Sequence, residues 1–226
     1  MATLPYNNLM DEHIGDKIKA VLLDHDDTIV DTINTKWAQH KHIAKTYYNK
    51  DLKDDEIKLH WGKPLRELVS LLYDTSDGDQ ALAYTELHHT EFPKKVFTYS
   101  VPIFKHLKSL GKLIGVITAT NRFSFEYDIK SHGISLKHFD YTQTAEDTAF
   151  HKPDPRVFDP AKAWLKEHKV KPSEVLYIGD GLQDMKAALG AGFNFLGVET
   201  GLITAEEFAS AGVKSIPTLG HLLKAG

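Results

Sequence analysis

Two pairs of carboxylates follow apolar stretches of this 226-residue sequence. Asp24 and Asp26 directly follow one such stretch, and Asp180 and Asp184 follow another. Residues two apart in extended chain point to the same side, so Asp24 and Asp26 should lie side by side. Two close carboxylates repel each other unless a cation lies between them. Four carboxylates at strand ends therefore predict a hard, oxygen-bound ion, and Mg²⁺ is favoured where phosphate shares its coordination shell.

A hydroxyl side chain and an isolated lysine lie between these acidic pairs. Thr118 directly follows a further apolar run, and Lys152 lies in the proline-containing segment 151–155. A hydroxyl donor, backbone N–H groups at a strand-to-helix turn and a point positive charge are the groups that bind a phosphoryl dianion. Taken singly, Thr118 is equally well explained as a helix cap and Lys152 as a solvated loop residue. Together with four carboxylates they predict a phosphate and metal site.

An alternation of apolar runs and helical patterns must bring these residues together. Short apolar runs bounded by turns indicate buried strands, and apolar residues at three- and four-residue steps indicate helices. The predicted strands are 19–23, 113–117, 139–141, 175–178 and 194–198, and the predicted helices are 101–110, 123–131, 156–168, 182–189 and 219–224. This alternation predicts an α/β fold with a Rossmann-like, doubly wound parallel sheet. Ligands of such sheets bind outside the carboxyl ends of the strands, where the residues after Leu23, Ile117 and Ile178 should converge.

The stretch from about residue 35 to residue 98 has a different pattern. Its apolar residues recur at helical spacing, and it contains no convincing strand. We predict an inserted helical bundle here. The predicted domains are thus an α/β core of residues 1–34 plus 99–226 and a helical cap of residues 35–98. Two hinges, near residues 31–34 and 97–100, should absorb the motion of this cap.

The composition excludes several classes of protein. The chain can bury roughly 70% of its unfolded surface, enough for one core and a smaller inserted unit. With a net charge of -4 it has no overall attraction for nucleic acid or anionic membranes, and with no cysteine it forms neither disulfides nor thiolate metal sites. The first sixteen residues lack the features of a signal peptide. We predict a cytoplasmic protein with no nucleic-acid or membrane partner, and its oligomeric state, monomer or dimer, is open.

Histidines are frequent in the predicted cap. His40 with His42, and His88 with His89, suggest metal sites at first sight. Residues one or two apart on a helix do not face one another, however. We therefore predict that these four side chains lie on solvated polar faces of helices.

The order and spacing of the motifs resemble those of the haloacid dehalogenase superfamily. The similarity runs from about Ile18 to the C-terminus, and the helical insert resembles the type I cap of the branch containing phosphoglycolate phosphatase and β-phosphoglucomutase. This resemblance implies a Mg²⁺-dependent phosphatase acting on a small phosphorylated metabolite, an organic phosphate monoester. It is carried by Asp24 to Thr28, Thr118, Lys152 and Gly179 to Asp184.

The resemblance also implies a role for each motif residue. Asp24 would attack phosphorus to form an aspartyl phosphate, and Asp26 would protonate the leaving oxygen and later activate water. The ion would be held by the Asp24 carboxylate, the Asp26 backbone carbonyl and the Asp180 carboxylate, with Asp184 ligating it or orienting a bound water. The phosphoryl oxygens would be bound by Thr118, the Ala119 amide, Lys152 and Asn121.

Two positions depart from the family's pattern, and two others are candidates for reading the substrate. The residue after the second aspartate is usually glycine but here is Asp27, and His25 stands where apolar residues are common.

In type I caps the turn that matches residues 62–64 faces the catalytic residues. Lys63 and Arg66 are therefore candidates for binding the part of the substrate beyond its phosphate.

Several other activities share parts of this motif set. A haloacid dehalogenase would need neither Asp26 nor the second acidic pair, and a phosphonoacetaldehyde hydrolase would need a desolvated cap lysine. A β-phosphoglucomutase-like mutase, which returns the phosphoryl group to a sugar, shares the first half of the reaction and stays open. A non-catalytic phosphate-binding module is disfavoured because Asp24, Asp26, Lys152 and Asp180 are all present.

Overall fold

Buried aliphatic strands form the centre of the fold. In the computed structural model, which describes residues 13–223, every residue of the strands Ala20–Leu23 and Val175–Gly179 is buried. Continuous burial on both faces is typical of a parallel sheet covered by helices. Most of the predicted leader, residues 1–12, and the last residue of the predicted helix 219–224 lie outside the described residues.

The central sheet has six strands in the order β5-β4-β1-β6-β7-β8, and its neighbouring strands are parallel. Leu23 is aligned with Val116 on one side and with Ile178 on the other. The carboxyl ends of β1, β4 and β6 are thus adjacent, which confirms the predicted α/β class and parallel sheet. The six strands are β1 (Ala20–Leu23), β4 (Leu113–Ile117), β5 (Tyr141–Gln143), β6 (Val175–Gly179), β7 (Asn194–Val198) and β8 (Ser215–Ile216).

Helices cover the sheet at positions close to those predicted, with two differences. The helix expected at 156–168 is divided into a 3₁₀ turn, Pro155–Phe158, and an α-helix, Asp159–Glu167, while the one expected at 219–224 is a 3₁₀ turn, Leu219–Leu222. The helix Ala205–Ser210 and the last strand, β8, were not predicted. From residue 100 onward the α-helices are Ser100–Ser109, Arg122–Ser131, Asp159–Glu167, Leu182–Gly190 and Ala205–Ser210.

The chain divides into two compact units. The core unit comprises Met1–Val30 and Val96–Gly226, and the inserted unit comprises Asp31–Lys95. The chain passes from one to the other at two short strands, β2 (Val30–Asp31) and β3 (Lys95–Val96), which pair as a separate sheet. The expectation that residues 35–98 contain no strand is wrong for β3, since two residues are too few to give a pattern.

The inserted unit is built from amphipathic helices around a small apolar core. A lack of long apolar runs, with apolar residues at helical spacing, explains why helices and not strands form here. Its helices are Ile33–Tyr48, Asp54–His60, Leu65–Tyr73 and Gly78–Leu87, followed by the 3₁₀ turn His89–Glu91. The buried apolar residues are Ile43, Ala44, Leu52, Ile57, Leu68, Val69, Leu72, Tyr73 and Ala81.

Among residues 13–223, no helix combines the length and apolar character needed to cross a membrane. The cytoplasmic location stays a prediction.

Candidate active site

Three carboxylates lie together at the carboxyl ends of β1 and β6. One oxygen from each of Asp24, Asp180 and Asp184 lies within 4.8 Å of the others. The parallel register places them there, because Asp24 directly follows β1 and its backbone N–H donates to the carbonyl of Ile178, 2.9 Å away. We call these three residues the carboxylate cluster.

Lys152 partly neutralises the carboxylate cluster. Its Nζ lies 2.6 Å from Asp24 Oδ1 and 2.6 Å from Asp184 Oδ1. The ammonium group also lies 5.2 Å from the centre of the Tyr177 ring, close enough for a cation–π contact. Sequence reasoning missed Tyr177, whose place inside a buried strand gives no sign of a polar role.

Burial and mutual repulsion dominate the titration of this cluster. Burial raises the pKa of Asp24 to about 7, against the lowering effect of Lys152. Burial together with the neighbouring Asp184 and Asp24 carboxylates also raises the pKa of Asp180 well above its usual value. For Lys152, burial acts to lower the pKa, but Asp184 and Asp24 outweigh it and the pKa is raised. One ammonium is therefore not enough to stabilise three ionised carboxylates.

Two glycines, which have no side chain, leave room for the carboxylates of Asp180 and Asp184. A Cβ at Gly201 would lie 2.0 Å from Asp180 Oδ2, and a Cβ at Gly179 would lie 2.7 Å from Asp184 Cγ. The backbone N–H of Gly181 donates to Asp184 Oδ2 at 3.0 Å and fixes that side chain at the start of its helix. Gly201 was not predicted as part of the site, because it follows β7 and carries no chemical group.

The carboxylate cluster fits a hard divalent cation. Oxygen ligands alone, with an excess of negative charge and little exposure of Asp24 and Asp184, are what Mg²⁺ and Ca²⁺ prefer. Asp24, Asp180 and Asp184 would hold such an ion, which when bound would stabilise negative charge on an attacked phosphoryl group. These are three of the four predicted ligand residues.

The fourth predicted ligand, Asp26, has a carboxylate that lies outside this group of three. Its Oδ2 accepts a hydrogen bond from Thr120 Oγ1 at 2.7 Å, and its side chain is 30% exposed. This position is compatible with the role that the resemblance implies for Asp26, in which its backbone carbonyl binds the metal and its carboxylate transfers a proton. Thr120 was not predicted, although a second hydroxyl two residues after Thr118 was visible in the sequence.

The turn after β4 holds the residues predicted to bind phosphoryl oxygens. Thr118 is buried, its backbone N–H donates to the Gln143 carbonyl at 3.0 Å, and its Oγ1 accepts from the Thr120 N–H at 2.9 Å. Ala119 is exposed. The side-chain oxygen of Asn121 accepts from the Ser124 N–H at 2.8 Å and so caps the helix Arg122–Ser131. Asn121, not Thr118, is therefore the helix cap.

The two unusual residues next to Asp24 have different structural explanations. Asp27 has a φ of 51°, a left-handed conformation that glycine adopts most easily. This explains why glycine is usual at this position. His25 is fully buried, with its ring edge-on to Phe125 at 5.2 Å between centroids. Its Nδ1 lies 3.7 Å from Asp26 Oδ2 and its Nε2 lies 4.0 Å from Asp128 Oδ2.

Both predicted substrate-reading cations of the inserted unit are paired with carboxylates of that unit. Lys63 forms an ion pair with Glu67, one helical turn further on. Arg66 forms a two-pronged pair with Asp79, with Nε–Oδ1 and Nη2–Oδ2 distances of 3.1 and 2.8 Å. Both side chains are exposed. Their role in substrate binding stays a prediction.

The expectation that four histidines lie on solvated helix faces is wrong for His40 and His88. These residues are only 2% and 8% exposed. His40 Nδ1 lies 2.7 Å from Tyr73 Oη, and His88 Nδ1 lies 2.9 Å from Glu91 Oε1. The prediction considered only neighbours along one helix, whereas contacts between helices bury these rings.

Comparison with known proteins agrees with the fold and the motifs. The family model described as haloacid dehalogenase-like hydrolase matches residues 21–198. A provisionally named pyrophosphatase PpaX of Clostridium perfringens is 34% identical over 186 residues, which cover 80% of this chain and 84% of the relative. The pyrophosphatase PpaX of Bacillus velezensis is 27% identical over 184 residues, covering 80% of this chain and 83% of the relative.

Solved structures give the same result. A provisionally named haloacid dehalogenase-like hydrolase of Bacteroides fragilis is 31% identical with a TM-score of 0.74, and the match covers 91% of this chain and all 100% of the other. A provisionally named β-phosphoglucomutase of Thermotoga maritima has a TM-score of 0.77 at 20% identity, covering 91% of this chain and 97% of the other, and shows the fold alone. This chain belongs to the haloacid dehalogenase-like hydrolases. The predicted superfamily and the prediction of an enzyme are thus confirmed.

Proposed function

We propose that this chain is a magnesium-dependent phosphohydrolase that transfers a phosphoryl group from a small phosphorylated metabolite to Asp24 and then to water. The observation that carries the proposal is the pairing of Asp24 with Lys152 inside a cluster of three carboxylates. A buried carboxylate held by an ammonium group is placed to act as a nucleophile toward a phosphoryl group whose charge the same ammonium neutralises.

Each neighbouring group has a defined part in this reaction. Asp24 Oδ attacks phosphorus, and the bond from phosphorus to the leaving oxygen breaks as Asp26 donates a proton to that oxygen. Asp26, now a carboxylate, takes a proton from the water that cleaves the aspartyl phosphate. Thr120, which donates to Asp26 at 2.7 Å, fixes the orientation of this carboxyl group. Lys152, the Thr118 hydroxyl and the Ala119 N–H bind the phosphoryl oxygens.

The substrate we favour first is pyrophosphate. The relative from Clostridium perfringens that is 34% identical over most of both chains is named as a pyrophosphatase. The alternative substrate is an organic phosphate monoester, which the same nucleophile and acid would cleave. Lys63 and Arg66 are our candidates for binding the second phosphate or the organic group, once freed from Glu67 and Asp79.

Phosphate release from a panel of compounds tests this proposal. The panel contains pyrophosphate, phosphoglycolate, sugar phosphates and nucleoside monophosphates, each assayed with Mg²⁺ and with chelator. We expect Mg²⁺-dependent release, with the highest kcat/KM for pyrophosphate. A preference for one organic phosphate would retain the phosphohydrolase and replace the substrate. Isomerisation of a sugar phosphate without phosphate release would identify a mutase, and inactivity on every compound would contradict the proposed function.

A further inference from the structure

A second group of potential metal ligands lies within the inserted unit. It consists of His42, His88 and Glu91, and we call it the histidine cluster. One ligand atom from each residue lies within 4.8 Å of the others. His42 comes from the helix Ile33–Tyr48, whereas His88 and Glu91 come from the end of the helix Gly78–Leu87 and the 3₁₀ turn that follows it. The proposed phosphohydrolase reaction uses none of these residues.

The three side chains already converge on a common point. His88 Nδ1 lies 2.9 Å from Glu91 Oε1, and the rings of His42 and His88 are 4.9 Å apart between centroids. Two ligand atoms bound to one tetrahedral Zn²⁺, each at about 2.1 Å, are separated by about 3.4 Å. Closing the cluster around an ion thus needs movements of about 1 Å, which rotation of the exposed His42 and Glu91 side chains provides.

The buried member of the cluster has the outer contact that a metal-bound histidine needs. His88 Nε2 lies 2.8 Å from Tyr47 Oη, and the Tyr47 ring stacks on Tyr84 at 3.8 Å. A histidine that binds metal through one ring nitrogen commonly donates its other N–H to a fixed acceptor, which sets the tautomer and the ring orientation. Tyr47 would fill this role if His88 bound the ion through Nδ1.

His42 completes the set because its ring nitrogens are available. Within residues 13–223 its ring contacts His88 and Phe92, at 4.9 and 5.5 Å between centroids, but makes no hydrogen bond. His42 is exposed, so an ion can reach it from solvent. Two imidazoles and one carboxylate, with a fourth position left for water, match a Zn²⁺ site with an open coordination position.

We propose that the histidine cluster is a binding site for one borderline divalent cation, of which Zn²⁺ is the probe of choice. Imidazole nitrogen favours Zn²⁺, Ni²⁺ and Cu²⁺ over Mg²⁺, so the cluster selects against the ion suited to the carboxylate cluster. The bound ion would link the helix Ile33–Tyr48 to the segment that carries His88 and Glu91, and so stabilise the inserted unit.

Titration calorimetry of the full-length protein with Zn²⁺ in excess Mg²⁺ tests the proposal, because Mg²⁺ occupies the competing oxygen ligands. We expect one equivalent of Zn²⁺ to bind, and His42→Ala to weaken binding by at least about 100-fold. Since His42 is exposed, its removal leaves no cavity. Tyr47→Phe keeps the stacked ring and removes only the hydroxyl, so we expect about 10-fold weaker binding. The matched control is His60→Ala, which removes a histidine of the same unit outside the cluster.

A second readout comes from thermal unfolding, because a ligand that binds only the folded state raises Tm. Zn²⁺ should raise the Tm of the wild type and of His60→Ala but not that of His42→Ala. Equal Zn²⁺ affinity in the wild type and His42→Ala would overturn the proposal. Loss of the site in His60→Ala would overturn it as well, since binding would then involve a different set of histidines.

Discussion

The carboxylate cluster of the core unit and the histidine cluster of the inserted unit are both groups of three potential metal ligands, yet they differ in chemistry. Asp24 and Asp184 are buried with a lysine between them, and all their donor atoms are oxygen. In the histidine cluster two of the three residues are exposed, two donors are nitrogen, and the neighbouring polar group is the Tyr47 hydroxyl. In both clusters the three ligand atoms lie within 4.8 Å of one another, so donor type and neighbouring charge must decide which ion each cluster prefers.

The same difference underlies the two roles that we propose, a reactive one for the carboxylate cluster and a structural one for the histidine cluster. In the proposed reaction Asp24 is the nucleophile, and its charge is kept in balance by the ammonium group, by a cation or by a proton. The exposed His42 and the hydrogen-bonded His88 have no such constraint and can bind an ion without any reaction. Changes in one cluster should therefore affect turnover, and changes in the other should affect only stability and Zn²⁺ binding.

The largest expected effect is that of Asp24→Asn on turnover. Replacing the attacking carboxylate by an amide should lower kcat by at least about 10⁴-fold, or about 5 kcal/mol of activation free energy. Steady-state phosphate release measures this effect, and calorimetry of the same variant should give unchanged Zn²⁺ binding at the histidine cluster. Asp16→Asn is the matched control, because Asp16 is exposed and precedes β1 instead of following it. Turnover retained by Asp24→Asn would eliminate Asp24 as nucleophile.

Lys152→Met should have the next largest effect, on stability without metal. Removing the ammonium leaves two buried carboxylates facing each other, and breaking a buried ion pair costs about 3–5 kcal/mol. Mg²⁺ should restore part of this loss by replacing the missing positive charge, which urea unfolding with and without Mg²⁺ measures. Lys162→Met is the control, since its pair with Asp159 is partly exposed at 3.8 Å and should contribute less than about 1 kcal/mol. The counter-charge interpretation fails if Mg²⁺ stabilises wild type and Lys152→Met equally.

The sequence was sufficient to predict that several candidate residues of the core unit lie together, because the signal for their position is local. Asp24, Thr118 and Asp180 each directly follow a strand, and parallel strands carry their ends to one edge of the sheet. The rule does not reach Lys152, which follows no strand directly and whose contact with Asp24, 128 residues away along the chain, is seen only in the folded structure. The helix Ala205–Ser210 and the strand β8 were missed because each is short, and two residues of strand carry no measurable alternation.

The histidine cluster shows where such reasoning stops. His42 lies in the helix Ile33–Tyr48 and His88 directly follows the helix Gly78–Leu87, so their contact depends on how those helices pack, not on spacing in the sequence. The same limit applies to Gly201, which carries no functional group and is recognised only from the short distance to Asp180. Cross-helix and cross-loop distances were needed to find both.

The pH dependence of the free energy of unfolding should show the contribution of the buried His40. Burial, with a further contribution from Lys36, lowers the pKa of His40 from 6.5 to about 4. The unfolded chain therefore binds a proton between these two values that the folded protein does not, so stability falls as pH falls through this window. The full difference amounts to about 3 kcal/mol. Urea unfolding in chelator at about pH 7.5 and about pH 4 should show a smaller loss for His40→Gln than for the wild type.

The control for this measurement is His60→Gln, which removes a histidine of the same unit. His40→Gln is expected to be less stable than the wild type near neutral pH, because it loses the contact with Tyr73, but its stability should depend less on pH. If the wild type and His40→Gln lost the same free energy on acidification, the burial of a neutral His40 would not contribute to acid sensitivity.

The smallest expected effect is that of Gly201→Ala on Mg²⁺ affinity. The added methyl group would lie 2.0 Å from Asp180 Oδ2 and must displace this carboxylate from the cluster. Disturbing the support of a ligand commonly weakens metal binding by about 10–100-fold. Gly181→Ala is the graded comparison, because its Cβ would meet Asp184 Oδ2 at 3.0 Å, and a small adjustment relieves that contact.

The Mg²⁺ concentration that gives half-maximal phosphate release measures both effects. We expect Gly201→Ala to need more Mg²⁺ than Gly181→Ala, and both to bind Zn²⁺ at the histidine cluster as the wild type does. A reversed order would mean that Asp184, and not Asp180, limits Mg²⁺ binding. If neither variant needed more Mg²⁺, the spacing of these carboxylates would not control metal affinity, and the ion that supports turnover would have to be held mainly by Asp24 and the backbone near Asp26.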